Sequence, residues 1–221
     1  MEPYGEDIFT EPDADPDGIA NLGPLRPLAG VWASAQGSDD HPTGEGSEMD
    51  GTVIEGGLRN VFVEHYDLQP IDPQTNGPQV FYGLRYHIHI VKPGEVETFH
   101  DQVGYWLWEP ATNTVIQSLA IPRGQVALAT GTAAPDAKEF EVRAALGSES
   151  NGIVSVAFIN AAFRTLSFRI RVSVHDNDTW SYEEDTVLQL PDRPAPFHHI
   201  DRNTLTRVAA PTPNPLARGA S

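Results

Sequence analysis

The sequence predicts an all-β protein: an antiparallel up-and-down β-barrel of about ten strands, lipocalin- or fatty-acid-binding-protein-like, with a short helical entry and disordered tails. Three observations carry this. Apolar and polar residues alternate in run after run, the period of a half-buried strand, and no 3.6-residue period outlasts a turn or two. Nineteen glycines and nineteen prolines among 221 residues break those runs at short intervals. The crossover helices that a parallel sheet needs are missing. A two-sheet sandwich is the architectural alternative. A barrel of this size encloses one small ligand.

Residues 1–21 read as an acidic, proline-rich arm, with Glu11-Pro12-Asp13-Ala14-Asp15-Pro16-Asp17-Gly18 at its centre. Such a segment cannot bury enough apolar surface to order itself. Tyr4, Ile8 and Phe9 are apolar side chains by which it could dock on the barrel or a partner subunit. The barrel domain is expected over 22–208. Its strands are read at 52–55, 60–68, 80–91, 98–108, 114–121, 124–131, 140–144, 163–174, 180–190 and 204–208. In the third, Tyr82, Leu84, Tyr86, Ile88 and Ile90 share one face, and Arg85, His87 and His89 the other. Residues 209–221, with three prolines, read as a disordered tail.

Composition narrows the chemistry. With no cysteine, thiol catalysis, iron–sulfur clusters and thiolate–zinc sites are excluded. The formal net charge of −17, from 31 acidic and 14 basic residues, repels phosphate backbones, so nucleic acid is not an expected partner. No apolar run approaches the roughly 20 residues that span a bilayer, and the acidic N-terminus lacks a secretory pattern. A soluble cytoplasmic protein without a membrane partner is the expectation. No nucleophile elbow, phosphate loop or paired-carboxylate pattern appears, and Ser47 and Glu48 form none.

Imidazoles are the remaining means of holding a cofactor. Phe197-His198-His199-Ile200 stands before the last apolar run, where a neutral nitrogen can face a haem iron or another metal. Adjacent residues on an extended segment face opposite ways, so only one of His198 and His199 points inward; a surface pair in a loop is the other reading. His87 and His89, two apart on one strand face, chelate a metal ion if His65 or His100 on a neighbouring strand supplies a third imidazole. His100 alone reads as a buried structural histidine. Asp39-Asp40-His41 reads as an acidic turn, with cation binding as the alternative. Trp32 reads as a core anchor at the barrel entrance. Trp106 and Trp108 share a face. Arg123, at a strand break, reads either as a solvated turn residue or as a partner for a ligand carboxylate or haem propionate, and Asp201 and Arg202 either orient His199 or pair with each other.

Three stretches resemble the nitrobindin family of haem-binding β-barrels, a domain that in animals is also fused to a THAP-type zinc finger. They are Leu25-Arg26-Pro27-Leu28-Ala29-Gly30-Val31-Trp32 with Gly37 to Thr43; Phe99-His100-Asp101-Gln102-Val103-Gly104-Tyr105-Trp106, running through Pro110-Ala111-Thr112-Asn113 to Gly131; and Pro196 to Ile200. The sequence departs from the family pattern at Ala33, Ala35 and His41, and in longer segments at Gln69–Val96 and Leu146–Ala162. The resemblance implies ferric haem b with His199 as axial ligand to the iron, and Trp32 and Arg123 near the cofactor. It implies reaction with NO or peroxynitrite, the latter as a peroxynitrite isomerase, and a homodimer. Two alternatives stand beside it. One is a haem-free, lipocalin-like binder of a small apolar or aromatic molecule, its mouth filled by residues of 69–77 or 147–160. The other is a metalloenzyme built on His87, His89 and a third imidazole.

Overall fold

The computed structural model describes residues 11, 13–43 and 51–212. It contains twelve strands: β1 (Gly30–Pro42), β2 (Thr52–Ile54), β3 (Gly57–Asn76), β4 (Gln79–Val91), β5 (Thr98–Glu109), β6 (Thr114–Ile121), β7 (Gln125–Thr132), β8 (Glu139–Leu146), β9 (Gly152–Ser155), β10 (Arg164–Val174), β11 (Thr179–Gln189) and β12 (Phe197–Ala209). Neighbours in space run β1-β12-β11-β10-β8-β9-β7-β6-β5-β4-β3, and β1 also pairs with β3, which closes the barrel. The three-residue β2 pairs with β3 alone, so eleven of the twelve strands form the wall.

The all-β barrel is as the alternation predicts, and the strand count differs for identifiable reasons. β1 was not read as a strand because its small and acidic residues carry little apolar signal. β9 lies in the second of the longer segments and runs parallel to β8, the one parallel pairing among the described residues. It fills a seam where β7 and β8 share a single register pair, Thr130 with Arg143. A short helix α1 (Ala157–Ala162) follows it. The first longer segment extends the β3–β4 hairpin. Pro73 is accommodated by a register shift between Ile71 and Gln74, where a lost donor is cheap, while Pro70 stays in register opposite Leu84.

One end of the barrel is shut. A 3-10 helix (Gly23–Leu28) lies across it and drives Leu25 and Leu28 fully into the core, with Leu22 beside them. Behind it Trp32, Trp106, Trp108 and Trp180 are each no more than 2% exposed. Trp32 and Trp180 meet edge to face at 6.1 Å, and Trp106 Nε1 donates to the Tyr66 hydroxyl at 2.9 Å. The β3–β4 hairpin projects at this end, so residues 69–77 do not fill the mouth as one alternative required.

Both tails are partly engaged where disorder was expected. Thr75 Oγ1 donates to Glu11 at 2.9 Å, and the backbone N–H of Thr212 donates to Gln69 Oε1 at 2.6 Å. Ala209 pairs with Val31 as the last residue of β12. Tyr4, Ile8, Phe9, Ser47, Glu48 and the tail beyond Thr212 lie outside the described residues. Among the described residues no helix is long and apolar enough to cross a membrane.

Candidate functional site: an ionisable pocket at the open end

The site begins with a break in phase. On β1, Trp32 faces the interior, so strict alternation would also turn residue 40 inward. The pairing shifts between Ser34 and Gly37 against β3, and between Ala33 and Ser38 against β12. Such a bulge reverses the faces beyond it. Asp39 therefore points inward. Asp40 meets Arg59, whose Nη2 donates to its Oδ2 at 2.6 Å, and this bond holds the Asp40 carboxyl below its usual range. Gly37 is required at the bulge: a Cβ there would stand 2.1 Å from the Phe62 ring.

On β12 the inward residues are His199, Asp201, Asn203 and Leu205. Register then decides the chemistry. Asp201 stands directly opposite Glu184 of β11 on one side and Asp39 of β1 on the other. Three carboxyl groups thus form one row across three adjacent strands, on the inner face. Like charges so placed repel. His199 sits above this row, donating from Nε2 to Asp39 Oδ1 at 2.7 Å, with Asp201 Oδ2 at 3.6 Å. Further down, Glu64 is buried; its Oε2 accepts from Tyr182 at 2.8 Å and from Asn203 at 2.6 Å, while its Oε1 has no partner.

These surroundings shift Glu64, Glu184, Asp201 and His199 toward holding protons. Burial raises Glu64 to about 7, against its hydrogen bonds from Asn203 and Tyr182. Burial also raises Asp201 and Glu184, which repel each other and are relieved in part by His199. Burial opposes charge on His199, but Asp201, Asp39 and Glu184 outweigh it and lift the imidazole to about 9.

The facing wall is neutral or basic. His100 is driven down to about 4 by burial and by Arg123 and His199, so it stays uncharged. Arg123 donates to the Phe99 carbonyl at the rim. Gln102 Nε2 donates to the Tyr86 hydroxyl at 2.8 Å. Gln117 is fully buried, and no hydrogen bond of ordinary geometry satisfies its carboxamide. Together these residues line a cavity of about 100 Å³. Hollows of about 520 and 930 Å³ elsewhere are open grooves on the outer wall, lined by residues such as Arg85 and Ser34.

The sequence-predicted residues divide cleanly. His199 is inside, within β12 rather than in a loop before it, and is 30% exposed at the cavity. His198 is 59% exposed on the outer wall, with Asp185 at 2.9 Å. His87 and His89 are also outside, bonded to Asp101 at 2.8 Å and Thr98 at 3.1 Å. His65 faces out beside His89. His100 faces in and so cannot join them, and these outer imidazoles do not converge on one point. Arg123 lines the cavity. Trp32 does not: its Nε1 donates to the Leu28 carbonyl and Arg207 stacks on its ring at 4.1 Å, both at the shut end. Asp39 belongs to a strand and not to an acidic turn. No residue of 147–160 lines the cavity.

A closed antiparallel barrel, plugged at one end and ionisable at the other, is a ligand-binding barrel by construction. The chain matches the model of the THAP4-like, heme-binding beta-barrel domain over residues 21–207, and it belongs to that family. It is similar in fold to the crystal structure of Rv2717c from M. tuberculosis, with a TM-score of 0.56 and 18% identity, over 85% of this chain and 96% of that one. No curated protein matches it.

Family membership raises the question of haem, and the residues at this mouth do not fit one. The His199 nitrogen that points into the barrel is bonded to a buried carboxylate. The cavity is about 100 Å³, against roughly 300–1,000 Å³ for pockets that hold drug-sized ligands. Phe62, Ile88, Ile90, Phe99 and Ile170 line part of the same cavity, but three carboxyl groups occupy the wall around His199.

Proposed function

We propose that this protein is a haem-free binding barrel of the heme-binding family. Its mouth pocket takes a small cationic or hydrogen-bond-donating ligand, not the apolar or aromatic molecule that the barrel shape alone suggests. One observation carries this reading: the inner-face row Glu184–Asp201–Asp39, with His199 bonded to Asp39 across the place where an axial haem ligand would need its nitrogen free. A cation or a strong donor is the complement of such a wall.

Titration of the purified chain with hemin tests it. The expected result is an absorption spectrum that stays that of free hemin, with no Soret shift on adding NO. A sharp Soret band that is lost in His199→Ala and kept in His198→Ala would overturn it.

The family favours a second reading: ferric haem b on His199, reacting with NO or isomerising peroxynitrite. This needs Asp39 to leave the imidazole. A hemin complex that forms in Asp39→Gly and not in the wild type would identify Asp39 as the block.

A further inference from the structure

The ligand class can be named more closely, and the inference rests on the haem-free reading above. The inward nitrogen of His199 and one oxygen each of Asp39 and Asp201 all lie within 4.8 Å of one another. Two of the separations are 2.7 Å and 3.6 Å. Donor atoms about 2.0–2.2 Å from a common metal, at angles between octahedral and tetrahedral, stand roughly 3.0–3.5 Å apart. The three atoms therefore already bracket the spacing that a metal imposes, and small side-chain rotations bring them to it.

We propose that Asp39, His199 and Asp201 bind one first-row divalent cation of the Mn²⁺, Fe²⁺ or Zn²⁺ kind, with Glu184 beside them supplying balancing charge. Two independent features point to the same ligand. First, strand register fixes the carboxyl groups of Glu184, Asp201 and Asp39 as direct cross-strand neighbours, so the backbone and not side-chain freedom holds them together. Arg59 pairs with Asp40 at 2.5 Å, and Arg202 with Glu183 at 2.9 Å and Asp40 at 3.6 Å, so neither forms an ion pair within this row, although the charge of Arg202 is felt at Asp201. Second, Gln117 lines the same cavity and is fully buried, and no hydrogen bond of ordinary geometry satisfies its carboxamide, whose polar neighbour is the Tyr86 hydroxyl. A hydrated cation supplies the bound waters that such a group would meet.

The donor set chooses the metal class. One imidazole with two carboxylates suits Mn²⁺, Fe²⁺ and Zn²⁺ better than Ca²⁺, which prefers oxygen alone, or Cu⁺, which prefers sulfur. Three protein ligands leave coordination positions open toward the cavity, where His100, Gln102 and Arg123 face the ion. That is the layout of a site that binds water or a small anion at its metal, and not of a closed structural site.

The test uses the full chain, stripped with EDTA and desalted. Calorimetric titration with Mn²⁺ and Zn²⁺ is expected to give one site per chain with Kd at or below about 10 µM. Thermal unfolding is expected to move up with added metal. Asp39→Asn and Asp201→Asn should each weaken binding by about tenfold or more, while His87→Ala on the outer wall leaves it unchanged. Near-ultraviolet circular dichroism of the buried tryptophans shows that the variants are folded. For the unaltered chain, an anomalous difference map from crystals grown with Mn²⁺ should place the ion between His199 and the two aspartates. No binding below about 1 mM, or binding that survives both aspartate changes, or an ion located elsewhere, overturns the proposal. A His199-dependent Soret band with hemin would overturn the haem-free reading and this one together. Absence of both haem and metal binding overturns only this one.

Discussion

The two ends of the barrel are made from the same strands and follow opposite rules. At the shut end four tryptophans and the leucines of the 3-10 helix fill the interior, with the indole N–H groups of Trp32 and Trp106 hydrogen-bonded and that of Trp180 without a partner. At the open end the same inward alternation delivers Asp39, Glu184, Asp201, Glu64 and His199 to the cavity and its floor, with Asp39 and Glu64 buried and the others half-buried. One end supplies stability. The other spends it on groups that a folded chain alone has no reason to bury, which is the signature of a site.

This contrast is open to test at both ends. The largest effect is expected at the shut end: Trp106→Ala should cost about 3–5 kcal/mol, and lower Tm by roughly 6–20 °C at the scaling for a chain of this size. Thermal unfolding of the purified variant measures it. A loss below about 1 kcal/mol would mean that the tryptophan cluster is not the core.

At the open end the sign reverses. Glu64 is raised to about 7 from an ordinary 4.5, so its contribution is fully favourable below pH 4.5 and is lost as pH rises through 7. Glu64→Gln removes that loss. With metal stripped away, the variant should be more stable than the parent at pH 8 by about 1–3 kcal/mol, and equal to it near pH 4.5. Glu184→Gln should behave alike, since its carboxyl is raised by burial and by Asp201. Chemical denaturation at the two pH values decides it. A variant less stable at pH 8 would show that these carboxylates are satisfied as they stand.

Smaller effects mark the borders of the comparison. Removing residues 1–21 takes away the exposed Thr75–Glu11 bond and the bond between the Asp15 backbone and Tyr82, and should lower Tm by no more than about 4 °C. His198→Ala breaks an exposed pair with Asp185 and should cost at most about 1 kcal/mol, leaving pocket ligands untouched.

The shut end was legible in the sequence and the open end was only half so. Tyr82 and Leu84 alternate toward the shut end, Tyr86, Ile88 and Ile90 continue the same face toward the cavity, and the structure buries all five. His199 was identified through its likeness to a family pattern. Its inward orientation follows from strand alternation only once β12 is known to begin at Phe197, because the spacing allowed either His198 or His199. Asp39 and Glu184 were missed as pocket residues. For Glu184 the run Tyr182-Glu183-Glu184-Asp185 gives no local sign of which acid faces in; the inner face is set by Trp180 and Tyr182, at even positions. That signal was present and unused. For Asp39 there was none, since the bulge that turns it inward depends on how β1 pairs with two other strands.

The bulge between Ser34 and Gly37 has a consequence for how such a pocket arises. Beyond it, the side chains of β1 are read in the opposite frame, so one added residue exchanges the Asp39 and Asp40 faces of the strand without altering any other amino acid. The composition of the barrel interior is thus governed by an odd or even count along β1 as much as by which residues are present. A single-residue insertion or deletion there would convert a charged lining into a different one in one event, a shorter route to a new ligand than accumulating substitutions across three strands.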